Sequence, residues 1–189
     1  MLDEEVQFLL DEADEHMHKT LEHLRTELGT IRAGRASPAM LETVRVDYYG
    51  SQMPLNQVAS ASAPQPDLLV VQPWDKSALA AIEKGIKAAN LGVNPSNDGN
   101  LIRIPVPPPS EERRKELAKT ARHRGEEAKV AIRNTRRHIK DQIKVTQQEN
   151  SLSEDVRFAA EEQLQKLTDD YIARIDHILE KKEAEIMEV

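Results

Sequence analysis

The chain has 189 residues, of which 31% are charged, 39% hydrophobic and only 3% aromatic, a mixture that suits long exposed helices better than an aromatic-rich enzyme core. It contains no cysteine, which excludes disulfides, thiolate metal sites and cysteine nucleophiles. A net charge of −7 would oppose a polyanionic partner if evenly spread, but residues 105–150 hold twelve basic against seven acidic side chains, between acidic segments at 1–30 and 151–189. One basic segment therefore stands in an acidic molecule.

The opening Met1-Leu2-Asp3-Glu4-Glu5 is acidic where a secretory signal is basic and then apolar. No apolar run approaches the ~20 residues that cross a bilayer. A soluble intracellular protein with no membrane association is expected. Val6, Leu10, Ala13, Met17, Leu21, Leu24, Leu28 and Ile31 then recur in steps of three and four, with no proline before Pro38. That period predicts a first amphipathic helix, roughly 40 Å long over residues 3–30.

Residues 32–106 hold most of the prolines and glycines. Thr43–Tyr49 and Val58–Ala63 alternate as half-buried strands, Asp67–Gln72 reads as a buried strand, and Leu101–Val106 as a last strand. Between them Ser77–Ala89 predicts a short helix capped by Ser77, with Ala78, Ile82 and Ile86 on one face. A small α+β unit of residues 31–105 thus interrupts a helical unit of residues 1–30 and 106–189. The way in is Arg32-Ala33-Gly34-Arg35-Ala36-Ser37-Pro38; the way out is Ile104-Pro105-Val106-Pro107-Pro108-Pro109. Glycine on one connection and stiff polyproline on the other describe either a two-strand hinge at Arg32, Gly34, Arg35, Ile104, Pro105, Pro107 and Pro108, or a rigid insertion on tight turns.

The second long helix is announced by the proline run and by Ser110-Glu111-Glu112, which suit a helix start. Its seam runs through Leu117, Ala121, Ala128, Ile132, Thr135, Ile139 and Ile143. The third begins at Ser151-Leu152-Ser153-Glu154, a match to the capping box, with Val156, Ala160, Leu164, Leu167, Tyr171, Ile175 and Ile178 as its seam. Each stripe is wide enough for two helical neighbours and too narrow for burial all round. The predicted fold is α+β: a three-helix bundle with a small β/α/β domain inserted between helices one and two.

Nothing in the chain predicts catalysis, a metal or a cofactor. The six histidines are dispersed, and His16 and His23, which could share a face, lie off the seam. There is no phosphate loop, dinucleotide fingerprint or serine elbow. A small enzyme built around Asp67, Asp75 and Asp98 is disfavoured, because the three are far apart in sequence with no histidine or cysteine beside them.

On the second helix, by contrast, Lys115, Lys119, Arg122, Lys129, Arg133, Arg136, Lys140 and Lys144 follow helical steps broken by Glu126. From Lys129 onward each lies one residue after a seam position, about 100° round the helix. Arg137 widens the row. A mixed lysine–glutamate face usually does no more than solvate a helix. Arg133–Lys140, however, carries four bases and no acid, and three are arginines, whose planar fork suits phosphate. Such a row could lie along folded RNA and bind backbone and shape. The rival is a helical protein-interaction or co-chaperone module that dimerises through its seams and uses the arginines for solubility.

The motifs Ile31-Arg32-Ala33-Gly34-Arg35-Ala36-Ser37-Pro38, Tyr48-Tyr49-Gly50 with Pro54-Leu55, and Asn90-Leu91-Gly92-Val93-Asn94-Pro95 occur in that order. Ile102-Arg103-Ile104-Pro105, Pro107-Pro108 leading to Ser110-Glu111-Glu112-Arg113-Arg114-Lys115, and Arg133-Asn134-Thr135-Arg136-Arg137 complete the series. Together they resemble the ribosome recycling factor family over nearly the whole chain; Pro64-Gln65-Pro66 is a departure. The resemblance implies an L-shaped molecule, binding to the post-termination ribosome with the bundle against large-subunit ribosomal RNA, and an arginine cluster at Arg133, Arg136 and Arg137, flanked here by Lys129 and Lys140. It implies elongation factor G as partner, hydrolysing GTP itself. A monomer in a bacterial cytoplasm is expected.

Overall fold

The computed structural model describes residues 3–31 and 34–188. The chain divides into two compact units, one of residues 1–33 with 111–189 and one of residues 34–110.

The first unit is a three-helix bundle. Helix α1 spans Glu4–Gly29, opened by Asp3, whose carboxylate accepts from the Glu5 N–H. Every position of its expected stripe is buried, and Leu9 widens it. Two further long helices follow the inserted unit, Glu111–Glu149 and Glu154–Met187. The intervening α2 belongs to the second unit, so these are α3 and α4. Glu111 and Glu112 sit in the first turn of α3, where carboxylates answer the exposed N–H groups. Ser153, not Ser151, caps α4, its hydroxyl accepting from the Val156 N–H. Ser151 instead turns the chain within the connection, with a positive φ of 52°. Asn150 donates to Glu5 at 2.7 Å and Tyr171 to Asp14 at 2.5 Å. The end of α3 therefore lies by the start of α1, and α4 runs parallel to α1.

The three stripes share one core, from Val6 to Leu28 on α1 with Ile31 just beyond it, Ala118 to Ile143 on α3, and Ala160 to Ile186 on α4. Several seam positions differ from expectation: Ala118, Gly125, Thr168, Leu179 and Ile186 are buried, while Leu117, Thr135, Val156, Leu167 and Ile178 are only half-buried. Gly125 fills the gap between Ala121 and Ala128, because a Cβ there would overlap the Leu179 side chain. On α4 the polar Thr168 takes a buried step, its hydroxyl donating to the Leu164 carbonyl at 2.8 Å. That bond satisfies the hydroxyl locally and removes the penalty of burying it.

The second unit is the inserted α+β domain. Strands β1 (Arg45–Tyr48) and β2 (Ser51–Pro54) form a hairpin. Its two turn residues, Tyr49 and Gly50, both have positive φ, the requirement of the tightest hairpin turn. Strands β3 (Ala59–Gln65), β4 (Leu68–Pro73), β5 (Ser96–Asn97) and β6 (Ile102–Pro105) make an antiparallel sheet in the order β3-β4-β6-β5. Leu69 pairs with Ile104 and Val71 with Ile102, so their side chains share one face. Those four residues are buried with Val44, Val46 and with Ile82 and Ile86 of helix α2, Leu79–Ala88. Asp75, rather than Ser77, supplies the cap here, its carboxylate accepting from the Ser77 N–H in a 3-10 turn at Lys76–Ala78 that precedes α2.

Candidate nucleic-acid interface

The 39 residues of α3 make a rod of about 58 Å. Its seam turns toward α1 and α4, which places residues about 100° further round on an outer flank. The basic row lies there, and its members differ in what surrounds them. Lys129 is held internally. Its ammonium lies 2.6 Å from Asp176 and 3.4 Å from Glu126, and its side chain is only 15% exposed. The hydrogen bond to Asp176 is the main cause that raises its pKa above the ordinary lysine value. Lys140 is exposed, with its ammonium 3.5 Å from Glu161.

The arginines are different. Arg133 and Arg137 are exposed. Among the described residues neither has a hydrogen bond or ion pair. Arg136 is half-buried in the groove toward α4, where its Nη1 donates to the Gln165 amide oxygen at 3.4 Å, a neutral partner that leaves the charge uncompensated. Lys144 is also exposed, with no partner among the described residues. The structure thus brings Arg133, Arg136, Arg137 and Lys140 to one flank as the spacing expects, and withdraws Lys129 into carboxylate pairs. Gln165 and Glu161, which shape this flank from α4, are not legible in sequence, because they reach it through the register of two helices.

The residues expected in the joint also separate. Arg32 lies outside the described residues. Gly34 has φ +81°, and a Cβ there would overlap the Pro109 ring, so the first and last turns of the inserted unit abut and only glycine fits. Arg35 is exposed. Ile104 is fully buried and Pro105 pairs with Leu68, so both belong to the sheet and not to a pliable connection. Pro107 and Pro108 are exposed beyond it. Ala36 donates to the Pro66 carbonyl and Val106 to the Asp67 carbonyl, each at 2.7 Å, which anchors both connections to one turn.

The aspartates of the disfavoured enzyme reading have structural duties. Asp75 accepts from Ser77 and from the Tyr48 hydroxyl, and those bonds, the Ser77 backbone first, lower its pKa. Asp98 is lowered to about 2 by the Leu101 and Asn100 N–H groups and then Arg103. Carboxylates held as anions in turns cannot serve as general acids near neutrality. Among the described residues no cluster of histidine and carboxylate side chains could hold a metal ion. No described helix is long and apolar enough to cross a membrane.

Fold and flank together define a three-helix bundle with an inserted α+β unit and an arginine face left open to an anion. The family model for ribosome recycling factor matches residues 24–187. The ribosome-recycling factor of Salinibacter ruber is 57% identical over 189 residues, covering 100% of both chains. That of Carboxydothermus hydrogenoformans is 52% identical over 184 residues, covering 97% of this chain and 100% of the relative. A solution structure of the ribosome recycling factor is 41% identical, with a TM-score of 0.73 over 100% of both chains. The T. thermophilus ribosome recycling factor, from models of it and the E. coli elongation factor G bound to the E. coli post-termination complex, is 49% identical with a TM-score of 0.60, covering 97% of this chain and 99% of that one. The chain belongs to the ribosome recycling factor family.

Proposed function

We propose that this protein binds the post-termination ribosome as a monomer in the bacterial cytoplasm and, with elongation factor G and GTP, promotes subunit dissociation and release of ribosomes from mRNA. It catalyses no reaction itself; the translocase hydrolyses the nucleotide. The observation that carries the reading is the pair Arg133 and Arg137, exposed on a stiff rod with no carboxylate answering either among the described residues. Arginines kept open on an otherwise acidic molecule suit phosphate contact, and Arg136 and Lys140 extend the contact along ribosomal RNA of the large subunit. Kinship with a recycling factor placed on a post-termination complex beside elongation factor G supports the choice of partners. The seams offer no support to the dimerising module, since all three stripes are used within one bundle core.

In this reading the bundle is anchored and the inserted unit is what the translocase pushes, about a joint that includes Gly34 and the Pro107–Ser110 exit. The test is breakdown of polysomes by purified elongation factor G and GTP, with and without this protein. Conversion to subunits is expected only with all three components, and its absence would end the proposal. In the same assay Gly34→Ala, which crowds Pro109 and is strained at positive φ, is expected to lower conversion while sparing ribosome binding. Undiminished conversion would remove Gly34 from the mechanism.

A further inference from the structure

The chain has two phenylalanines, and neither is in a core: Phe8 on α1 is 67% exposed and Phe158 on α4 is 54% exposed. Each forgoes the stabilisation that burying a ring would bring, so what surrounds it decides what it is for. Phe8 shares a shallow groove with Glu4, Glu5, Leu9 and Thr146. The carboxylates near it are answered by amides, Glu5 by Asn150 and Asp11 by Gln7. That setting repels a polyanion.

Phe158 has a cation against its ring. The Arg157 guanidinium lies 4.8 Å from its ring centroid. Arg157 Nε is 3.8 Å from Glu161 Oε1, and Glu161 Oε2 is 3.5 Å from Lys140 on α3. A continuous chain of neighbours therefore runs from Phe158 to the basic row, one step along from the Arg136–Gln165 bond between the same helices. Of the acids neighbouring Phe158 along α4, Glu161 is shared by two cations and Glu162 is turned to Lys166 at 3.0 Å. Glu154 and Asp155 are exposed in the first turn of α4, where carboxylates answer the helix dipole. Arg157 Nε is buried without a hydrogen bond, so packing and a long ion pair, rather than a fixed bond, hold the guanidinium at the ring.

We propose that Phe158, backed by Arg157, is a base-stacking platform that carries the cationic flank of α3 onto α4, and that it takes an unpaired nucleobase of the RNA whose phosphates meet Arg133, Arg136 and Arg137. An aromatic face accepts any base, and an adjacent arginine adds a charge that favours the strand. Unpaired bases splayed from a fold are what protein rings reach in RNA, since the deep groove of its duplexes is closed. A protein partner fits less well, because Phe158 stands singly among charges and docking surfaces need a contiguous apolar centre. This inference rests on the RNA-binding reading above, and its test separates the two.

Equilibrium binding to purified bacterial large ribosomal subunits is measured over a range of salt for Phe158→Ala, Phe158→Leu, Phe158→Trp, Phe8→Ala and Arg133→Ala, with circular dichroism and thermal melting as controls of folding. Phe158→Ala should bind about 5- to 150-fold more weakly, with an unchanged log–log salt slope because every phosphate stays engaged. Phe158→Trp should restore binding, Phe158→Leu should not, and Phe8→Ala should match the parent. Arg133→Ala should weaken binding and flatten the slope. Unchanged affinity for Phe158→Ala beside a weakened Arg133→Ala overturns the platform and leaves the anchor standing. Full affinity for Phe158→Leu identifies an apolar protein contact and also overturns it. Unchanged affinity for both Phe158→Ala and Arg133→Ala brings down the anchor and the platform together.

Discussion

The two halves of α3 carry the same residue types and pair them with acids to different extents. In the first half Arg113 reaches Glu116, Lys115 reaches Glu111, Arg124 reaches Glu127, Arg122 reaches Glu183 of α4, and Lys129 reaches Asp176, while Arg114 and Lys119 reach no acid among the described residues. In the second half Arg133, Arg137 and Lys144 reach no acid among the described residues, and Lys140 has one distant partner. Exposed pairs of the first kind contribute little to stability, about 0–1 kcal/mol each, but they cancel charge where a polyanion would feel it. What distinguishes the two halves here is therefore how much of the charge is compensated and not the density of bases.

The largest effect should come from emptying the open half. Replacing Arg133 and Arg137 together by alanine is expected to weaken binding to large ribosomal subunits by about 100-fold or more, since charged hydrogen bonds are worth roughly 1.5–3 kcal/mol each. The log–log salt slope should flatten by about 0.7–0.9 for each phosphate no longer engaged. Arg122→Ala, in the paired half, should leave both within about twofold, because its guanidinium is already occupied by Glu183 at 2.5 and 3.2 Å. Equal losses from the two halves would erase the distinction.

A smaller effect should come from converting one kind into the other. Asp176→Asn with Glu126→Gln leaves Lys129 without its carboxylates. Binding at low salt is then expected to tighten a few-fold and the slope to steepen by about 0.7, with stability lowered by no more than about 1 kcal/mol. Unaltered binding, with the fold intact by thermal melting, would show that position along the helix and not pairing bounds the contact.

This contrast also marks how far the sequence can be read. The stripes of α1, α3 and α4 are legible because a period of three to four states which face is buried, and the row of bases because it keeps the same period. The partners are not. Asp176 and Glu183 meet Lys129 and Arg122 across more than forty residues of chain, and only the antiparallel register of α3 and α4 brings them together. Gly125 escapes a reading by pattern because a helical glycine counts as a weak point, whereas here it makes room for Leu179. Strand β2, Ser51-Gln52-Met53-Pro54, has no apolar alternation; the signal for it is the Tyr49-Gly50 turn, which folds the chain back on β1 whatever follows. Ile104 and Pro105 read both as the end of the last strand and as part of the hinge, and strand pairing claims them.

The smallest effect concerns whether rigidity, rather than open charge, could explain the two halves. Tyr171 ties α4 to α1 through Asp14, and burial first, then that hydrogen bond, push its phenol up to about 12 from an ordinary value of 10.0. The folded state thus favours the protonated phenol. This stabilisation is complete below pH 10 and is lost as pH rises through 12, because the unfolded chain gives up the proton first. Across the alkaline range in which tyrosine titrates, denaturation should show the parent losing on the order of 2 kcal/mol that Tyr171→Phe does not lose. Near neutrality the same variant should be about 1 kcal/mol less stable, from one missing hydrogen bond, and should bind ribosomes as the parent does. Weakened binding in this variant, with Arg133 and Arg137 untouched, would move the cause from uncompensated charge to the stiffness of the rod that carries it.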